Sequence, residues 1–493
     1  MSSSEVLIVG AGPTGLALAV ELARRDVHVR IVDVASAPTS QTRALGVQPR
    51  TLELFERLGL AAEAVAEGVP VTEFRLFSEN KQFLDLSLSR LDTPHPYLLM
   101  LPQPAVEELL GARLKDYGVL VERGVELTML SQQPGEVEAV LRHLDGTVER
   151  VRVPWLIGCD GAHSTVRHQL GVPFVGGAFE ENFAVADGRV EWPLPYDVFY
   201  SFLYKGNFVA YFPMPGGLHR ITIAYPPGRA PAGEVSFDEV REAVAMCSPP
   251  GTRLATIVES GRFRINQRKV ARHSVDRVFL AGDAAHVHSV VGGQGMNTGI
   301  QDAFNLGWKL AAVVQGRARR ELLDSYAAER SPVAHRLVKG TRRATRMTLL
   351  RNPMATAARR NIAPHVTARP AVQRILSRAL TQLDVSYRDG TGGSNDDRLA
   401  VGDRFPDIGL LHPSKHTLLV PGAEPPALRD TLGDLADLID VRQVPDGRIR
   451  VRYGMDGGGL VLVRPDGYLA LLGGDVRELS SYLDTTYGPR RNI

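Results

Sequence analysis

The stretch Val6-Leu7-Ile8-Val9-Gly10-Ala11-Gly12-Pro13-Thr14-Gly15 decides the fold of this chain. Its apolar half predicts a buried strand. Its glycine half has the Gly-x-Gly-x-x-Gly spacing that links a strand to a helix in a βαβ unit. The helix predicted over residues 14–25 points unpaired N–H groups and the positive end of its dipole at this turn. The pattern predicts that a dinucleotide pyrophosphate is bound by Gly10, Gly12, Pro13, Thr14 and Gly15.

The next predicted strand, Val29-Arg30-Ile31-Val32, ends at Asp33. A carboxylate in this position accepts hydrogen bonds from ribose hydroxyls and repels a 2′-phosphate. The dinucleotide predicted from these residues is therefore FAD or NAD, and not NADP.

A second glycine-rich segment favours the flavin. The apolar run Val278–Ala281 leads into Gly282 and Asp283, and a carboxylate there can accept from a ribityl hydroxyl. Further along, Gly292, Gly293 and Gly295 let the backbone pass close to a flat ring. The helix that starts near Met296 and Asn297 offers N–H donors to a reduced isoalloxazine.

Composition limits the class of protein. The chain has 493 residues, 44% of them hydrophobic and 23% charged, with a net charge of +2. This length predicts about three domains, and the charge is too small to favour nucleic acid or membrane as a partner. Cys159 and Cys247 lack metal-ligand or redox-motif spacing, which excludes a disulfide framework. Without a signal peptide or an apolar run long enough to span a membrane, we expect a cytoplasmic protein.

The order of predicted elements indicates an α/β fold with an insertion. A Rossmann-like, dinucleotide-binding domain is expected over residues 1–72, 98–176 and 266–393, with an arginine-rich helical arm at about 336–385 whose basic face is solvated or at an interface. A β-sheet-rich substrate domain is expected over 73–97 and 177–265. After a linker at 389–397, a small α/β domain is expected over 399–493.

A third motif, Cys159-Asp160-Gly161-Ala162-His163-Ser164 with Arg167, completes a set of three in a fixed order. With it the chain resembles the single-component FAD-dependent aromatic hydroxylases of the para-hydroxybenzoate hydroxylase type, in the branch that tailors polyketides and antibiotics. The resemblance spans nearly the whole chain and implies a thioredoxin-like C-terminal domain. It also implies that Asp160 supports the pyrophosphate region and that Arg43 and Gln103 contact FAD.

The resemblance implies a reaction as well. The resemblance implies that FAD is bound tightly and without a covalent bond and that NADPH binds transiently, and no second Gly-x-Gly-x-x-Gly for a nicotinamide domain is present. Oxygen transfer through a flavin C4a-hydroperoxide would hydroxylate an aromatic compound of polyketide type or oxidise a ketone in a Baeyer–Villiger step. The flavin carries the difficult chemistry. No catalytic residue is identified, and His288 and Tyr211 are the weak candidates.

The chain departs from the family at one place, since the usual proline before Gly292 and Gly293 is absent from Ala285–Val291. Two alternatives therefore stay open: a non-redox cyclase that holds FAD structurally and acts on a polyene, and a protein that sequesters an antibiotic. His286 and His288 lie two residues apart, but no carboxylate cluster accompanies them, so no metal site is expected. Either histidine could line the site.

An apolar, aromatic pocket for a hydrophobic small molecule is expected between the flavin and the inserted sheet. Strand alternation puts Tyr200, Phe202 and Tyr204 on one face, and plain core packing is the favoured alternative for each of these residues. The C-terminal domain has no cysteine, which excludes thiol redox chemistry and favours a structural or dimerising role, with a homodimer possible. The full set of expected substrate contacts is Tyr200, Phe202, Tyr204, Tyr211, Phe212, Pro213, Met214 and Val290.

Overall fold

The computed structural model describes residues 4–288, 292–350, 352–394, 398–445, 453 and 459–488, without the side chains of 179, 180 and 389. Its strands, in chain order, are β1 (Val6–Val9), β2 (Val29–Asp33), β3 (Gly46–Val47), β4 (Val69–Val71), β5 (Glu73–Ser78), β6 (Lys81–Ser87), β7 (Leu98–Met100), β8 (Val121–Arg123), β9 (Val125–Gln133), β10 (Glu136–His143), β11 (Val148–Val153), β12 (Trp155–Gly158), β13 (Phe174–Glu191), β14 (Val198–Tyr204), β15 (Asn207–Met214), β16 (Leu218–Tyr225), β17 (Arg253–Val270), β18 (Ser274–Val275), β19 (Val278–Leu280), β20 (His286–Val287), β21 (His416–Pro421), β22 (Ile439–Val444), β23 (Leu460–Val463) and β24 (Leu469–Gly474).

Most of the α-helices lie between residues 13 and 116 or between residues 295 and 380. In chain order they are α1 (Pro13–Ala23), α2 (Pro49–Leu58), α3 (Ala61–Glu67), α4 (Gln103–Asp116), α5 (Thr165–Gln169), α6 (Phe237–Cys247), α7 (Gly295–Val314), α8 (Asp324–Leu349), α9 (Pro353–Asn361), α10 (Ala363–Thr367), α11 (Pro370–Leu380), α12 (Leu428–Leu432) and α13 (Val476–Tyr487).

The central sheet has the strand order β18-β19-β12-β1-β2-β8 and is parallel except for β18. Ile8 on β1 pairs with Ile157 on one side and Ile31 on the other. All four residues of β1 are buried, because α1 and α7 cover one face and the β9–β11 sheet covers the other. The near-continuous apolar strands are what a parallel sheet covered on both faces requires.

The inserted unit is an eight-stranded sheet, in the order β20-β17-β13-β16-β15-β14-β5-β6. Helix α6 packs on one of its faces, where Val240 and Val244 meet the strands. This helix was not anticipated within the sheet-rich insertion. Ser236 caps its first turn through a hydrogen bond from the N–H of Glu239.

The C-terminal unit has a parallel pair, β22 and β21, followed by antiparallel β23 and β24, with α13 packed on the sheet. This is the strand order of a thioredoxin-like domain. The observed sheets confirm the predicted α/β fold class, whereas the domain boundaries themselves stay a prediction.

Buried ion pairs join the C-terminal unit to the rest of the chain. Arg404 lies 2.7 Å from the carboxylate of Glu53 on α2, and Arg464 lies 2.6 Å from Glu329 on α8. Lys309 on α7 also pairs with Glu329, at 2.8 Å. Because removing one partner of a buried pair leaves an uncompensated charge, loss of any of these contacts would destabilise the junction with the C-terminal unit.

Candidate functional site

The predicted cofactor residues meet at one edge of the central sheet. The neighbouring parallel strands β19, β12, β1 and β2 all end there. The segments that follow β19, β12 and β1 begin with Ala281, Cys159 and Gly10, and Gly282 comes directly after Ala281, while β2 itself ends at Asp33. In open α/β sheets, ligands bind at the carboxyl ends of the strands.

The glycines at this edge fall into two groups. A Cβ atom on Gly10 would lie 2.4 Å from the carbonyl oxygen of Cys159, and one on Gly15 would lie 1.9 Å from the carbonyl oxygen of Gly10. These glycines are required by packing. A Cβ on Gly12, Gly161 or Gly293 would meet no described atom within 4 Å. That open space is what a group bound against the backbone needs.

Thr14 joins the two glycine-rich segments. Its Oγ1 would lie 2.4 Å from a Cβ on Gly282 and 2.2 Å from one on Gly299. Both positions must therefore be glycine for the start of α1 to pack against the start of α7. This contact brings together two motifs that lie about 270 residues apart in the sequence.

The first turns of α1 and α7 lack side-chain caps. Gly12 and Gln294 occupy the N-cap positions, neither makes a side-chain capping bond, and no acidic residue lies in either first turn. The free N–H groups and positive dipole ends of two helices therefore face the same edge of the sheet. An anionic, hydrogen-bond-accepting cofactor such as FAD fits this donor set.

Asp33 fixes the first glycine turn. Its carboxylate accepts from the N–H of Ala11 at 2.6 Å and from that of Ala35 at 2.8 Å, and Arg123 lies 3.8 Å away. The side chain is half-buried, so an oxygen can still reach a ribose hydroxyl.

Asp160 supports the turn after β12 from behind. It accepts from the hydroxyl of Ser164 at 2.5 Å and from the N–H of Val166 at 3.1 Å, and burial raises the pKa of its carboxyl. Arg167 donates to the carbonyls of Ala162 and Ala284, at 2.8 and 3.0 Å. Arg167 therefore connects the motif at Cys159–Ser164 with the segment that follows Gly282 and Asp283.

Asp283 follows β19 and keeps contact with solvent at the edge of the sheet. Desolvation by the surrounding protein nevertheless raises the pKa of its carboxyl, although His286 and Arg43 act in the opposite direction. Arg43 is exposed. The structure thus places Arg43 near enough to Asp283 for their charges to interact. Both residues were expected to contact the cofactor.

The loop before α7 is held by buried amides. Asn297 donates to the carbonyls of Gly46 and Gly293, each at 2.8 Å, and accepts from the N–H of Gln48 at 2.8 Å. Gln48 in turn donates to the carbonyl of Gly292 at 2.7 Å. Asn297 therefore shapes the loop with its side chain. Met296 and Gly295, next to it, are half-buried.

A buried ionic cluster lies beneath Gly282, and the sequence argument missed it. Asp302 accepts from the N–H of Gly282 at 3.0 Å, lies 2.7 Å from Nε2 of His286 and accepts from Arg330 at 2.6 Å. All three side chains are buried. Burial opposes the charged form of Asp302, but Arg330 and His286 more than offset it, so the pKa of Asp302 lies well below its usual value. One sequence signal could have indicated this cluster: polar residues recur within a largely apolar helix, at Gln301, Asp302, Asn305 and Lys309.

The predicted substrate residues divide between two faces of the eight-stranded sheet. Tyr200, Phe202 and Tyr211 are buried against α6, with Tyr204 packed beside them. The hydroxyl of Tyr211 lies 2.5 Å from that of Ser248. This placement does not support a substrate-lining role for the four aromatic residues, or a catalytic role for Tyr211. The alternation of β15 puts Pro213, which pairs with His219, on the same side.

Phe212 and Met214 lie on the opposite face, in a cluster with Leu45 and Met100 of the dinucleotide-binding region. Leu380 joins this cluster and lies 3.6 Å from a Cβ built on Gly292. These contacts connect the apolar face of the sheet with the glycine loop before α7.

Three predicted residues remain: Gln103, His288 and Val290. Gln103 begins α4, where its N–H donates to the carbonyl of Ala44 and its side chain to Glu107, both at 2.9 Å. His288 places Nε2 3.2 Å from a Cβ built on Gly295. Val290 lies outside the described residues, as do Ser289 and Val291 of the stretch without proline. Within the described part of the chain, no group of three His, Cys, Asp or Glu side chains could hold a metal ion.

None of the helices in the described ranges combines the length and the apolar composition needed to cross a bilayer.

Comparison with known proteins agrees with this geometry. The model of the FAD binding domain family matches residues 3–341. The 6-methylpretetramide 4-monooxygenase of Streptomyces rimosus is 39% identical over 95% of this chain and 90% of its own length. The structure of OxyS anhydrotetracycline hydroxylase, also from S. rimosus, matches with a TM-score of 0.81, 31% identity and 99% coverage of both chains.

A structure described as the Diels-Alderase PyrE3, from the biosynthetic pathway of pyrroindomycins, matches with a TM-score of 0.80 and 30% identity. It covers 99% of this chain and 100% of its own. The fold is thus shared by proteins with different described reactions.

The family match spans the sheet edge, both uncapped helices and the residues that close around them. The chain therefore belongs to the FAD binding domain family, and the flavin predicted from its two glycine turns is the cofactor of that family.

Proposed function

We propose that this protein is an FAD-dependent monooxygenase that uses NADPH to hydroxylate a hydrophobic, polycyclic aromatic compound of polyketide type. The observation that carries the proposal is the convergence of two uncapped helix N-termini beside an apolar sheet face. The relatives described as a 6-methylpretetramide monooxygenase and an anhydrotetracycline hydroxylase support the substrate class.

Three groups of residues in the chain would hold the cofactor. The N-terminus of α1 and Gly12 would bind the pyrophosphate, Asp33 the ribose, and Asp283 the ribityl chain. The N-terminus of α7 would face the isoalloxazine. When bound and reduced, the flavin supplies the activation of dioxygen and the transfer of one oxygen atom.

The substrate would lie between the loop at Gly292–Gly293 and the sheet face that carries Phe212 and Met214. These side chains and Leu380 form an apolar wall, which excludes water and orients a flat ring against the flavin. His288, beside the start of α7, remains a candidate for holding a proton near the reacting groups. A Baeyer–Villiger outcome and a cytoplasmic location stay predictions.

The test is product analysis under an ¹⁸O₂ atmosphere, with NADPH and a panel of tetracyclic phenols. One labelled oxygen atom per product molecule, together with substrate-stimulated NADPH oxidation, supports the proposal. Turnover of a polyene without flavin bleaching would instead identify a cyclase, the reaction described for PyrE3. Tight binding of an aromatic antibiotic without any product would identify a sequestering protein.

A matched control uses the Phe212→Ala variant beside Phe202→Ala. Phe212 lies on the face proposed for substrate, and Phe202 is buried against α6. A rise in KM confined to Phe212→Ala supports the proposed face. An equal rise in both variants would contradict it.

A further inference from the structure

The sheet face proposed for the substrate carries a buried ion pair. Asp187 on β13 lies directly opposite Arg220 on β16 in the strand register, and Phe212 on β15 lies opposite Arg220 on the other side. Residues that face one another across antiparallel strands point to the same side of a sheet. Arg220 and Asp187 therefore share the face of Phe212, whereas the next residue, Ile221, points towards α6.

Asp187 holds the guanidinium group of Arg220 along one edge. Nε donates to one carboxylate oxygen at 2.8 Å, and Nη2 donates to the other at 2.6 Å. This bidentate pairing fixes the plane of the guanidinium group. Nη1 lies on the side turned away from Asp187, keeps some accessible surface and forms no hydrogen bond with another described residue. Its two N–H donors are therefore left for a ligand.

The position of this pair is not explained by folding. Arg220 is 8% exposed and Asp187 is 5% exposed, and Phe212 on the same face packs against Phe199. A buried ion pair adds little to stability, because the loss of hydration offsets the attraction between the charges. A role in recognition accounts better for a charged pair on this otherwise apolar face.

The sheet face beside Arg220 is only partly covered. Thr222, two residues further along β16, points to the same side and is half-buried, as is Phe212. Further along β16, Ala224 packs against Leu349 of α8, so the face is covered again there. The partly open stretch between Phe212 and Leu349 includes the free nitrogen of Arg220.

This arrangement favours an anionic oxygen on a flat, apolar molecule. Hydrogen bonds from a guanidinium group to an anionic oxygen are about twice as strong as neutral ones. The rings of Phe199 and Phe212, with centroids 4.7 Å apart, suit an aromatic skeleton. A phenol or enol that ionises combines both properties. Glu259, opposite Asp187 on β17, is exposed, so water and salt screen its charge.

We propose that Arg220 determines substrate specificity by binding the anionic oxygen of an acidic phenol or enol, while Asp187 holds its guanidinium group in place. The inference rests on the proposed function for the position of the substrate. It goes further by naming a group that the substrate must carry. A compound whose acidic oxygens are all alkylated lacks that group and is rejected.

The experiment uses 1,2-dihydroxyanthraquinone, an aromatic phenol whose absorption moves to longer wavelengths when it ionises. The dye is titrated with the FAD-loaded, full-length protein in the absence of NADPH, so that no turnover is involved. The wild-type protein should bind the anion at least about tenfold more tightly than the neutral dye, which lowers the pKa of the bound dye by about one unit. The 1,2-dimethoxy analogue cannot ionise and should bind about tenfold more weakly than the anion.

The variant Arg220→Gln/Asp187→Asn replaces the pair with two neutral groups, so neither partner remains as an uncompensated buried charge. It should lose the preference for the anion. The matched control is Arg253→Gln/Glu191→Gln, which neutralises an exposed pair between β17 and β13 and should bind the dye like the wild type. Arg220→Lys keeps a charge beside Asp187 without the second donor group. It should also weaken anion binding, and it serves as the test if the double variant does not fold.

Circular dichroism and the yellow colour of bound FAD check that the variants fold. No binding of the dye by the wild type, equal binding of the dye and its dimethoxy analogue, or an unchanged anion preference in the variants would overturn the proposal. Loss of FAD from the double variant with unchanged dye binding would also overturn it, because Arg220 would then face the cofactor. Binding of the anion through Arg220 without any labelled oxygen in a product would contradict the proposed function and support this inference.

Discussion

The backbone N–H of Gly282 donates to the carboxylate of Asp302, with 3.0 Å between the nitrogen and Oδ2. One buried charge on α7 thus holds the turn that presents Asp283. Because His286 and Arg330 contact the same carboxylate, the shape of the flavin site depends on residues that lie behind it.

Asp302→Ala is expected to lower the free energy of unfolding by about 3–5 kcal/mol, because it leaves the Arg330 guanidinium buried without its partner. Asp302→Asn keeps an acceptor for Gly282 and should lose less. Urea unfolding measures both, with Asp116→Ala, an exposed position on α4, as the control. Equal stability of the Ala variant and the wild type would contradict a supporting role for Asp302.

Gly12 and Gly15 should respond to alanine in opposite ways. Gly12 has φ −75° and open space at its Cβ position, so Gly12→Ala should change stability by about 1 kcal/mol or less. It should nevertheless weaken FAD binding at least about tenfold, since the methyl group fills the space needed by the pyrophosphate. Gly15→Ala meets backbone and should destabilise the apoprotein by about 3 kcal/mol. Flavin fluorescence quenching and urea unfolding separate the two effects.

Asp283 and Asp160 form a second contrasting pair. Asp160 is bonded within the protein, so Asp160→Ala should reduce stability by about 1–3 kcal/mol. Asp283 keeps contact with solvent; Asp283→Ala should therefore leave the unfolding free energy of the apoprotein nearly unchanged and release most of the FAD. Equilibrium dialysis measures the bound flavin. An Asp283→Ala protein that stays fully yellow would disprove our assignment of this carboxylate.

We expect the buried side chain of His219 to make the protein less stable in acid. Its ring packs against Trp192 and Tyr196, and burial lowers its pKa from 6.5 to about 4. Between these values the unfolded chain binds more protons than the folded protein, so stability falls as the pH falls through this range. At pH 5 the loss is about 2 kcal/mol.

His219→Phe removes the titrating group and keeps the ring. The variant should match the wild type at pH 7.5 and exceed it at pH 5, as measured by urea unfolding at both values. His335→Gln, at an exposed position on α8, is the control. The same pH slope in His219→Phe and the wild type would rule out this histidine as the cause.

The part of the site that could be predicted from the sequence is the part whose position follows from the spacing of residues around single strands. The turn Gly10–Gly15 and the pair Gly282-Asp283 each follow a strand of the parallel sheet, and Asp33 ends another, so that topology alone brings them to one edge. Asp302 and Arg330 could not be placed in the same way, because their pairing depends on how α8 packs against α7. A buried charge gives no local signal of its partner.

Two other differences have local causes. Helix α6 could have been anticipated from Ser236 at its N-cap and from Val240, Val244 and Cys247 at helical spacing. The face on which each aromatic residue of β14 and β15 lies could not have been predicted. Alternation shows that Tyr211 and Phe212 lie on opposite faces, but it does not show which face meets the flavin. The position of α6 decides that question.

The ion pairs that cross between α2, α8 and the C-terminal unit limit how this protein can be shortened. Removing residues 399–493 would take away Arg404 and Arg464. Glu53, Lys309 and Glu329 would then lose these partners, and the pocket that now buries them would open to water. The C-terminal unit therefore completes the charge balance of this part of the flavin domain, which reaches its full stability only with that unit packed against it.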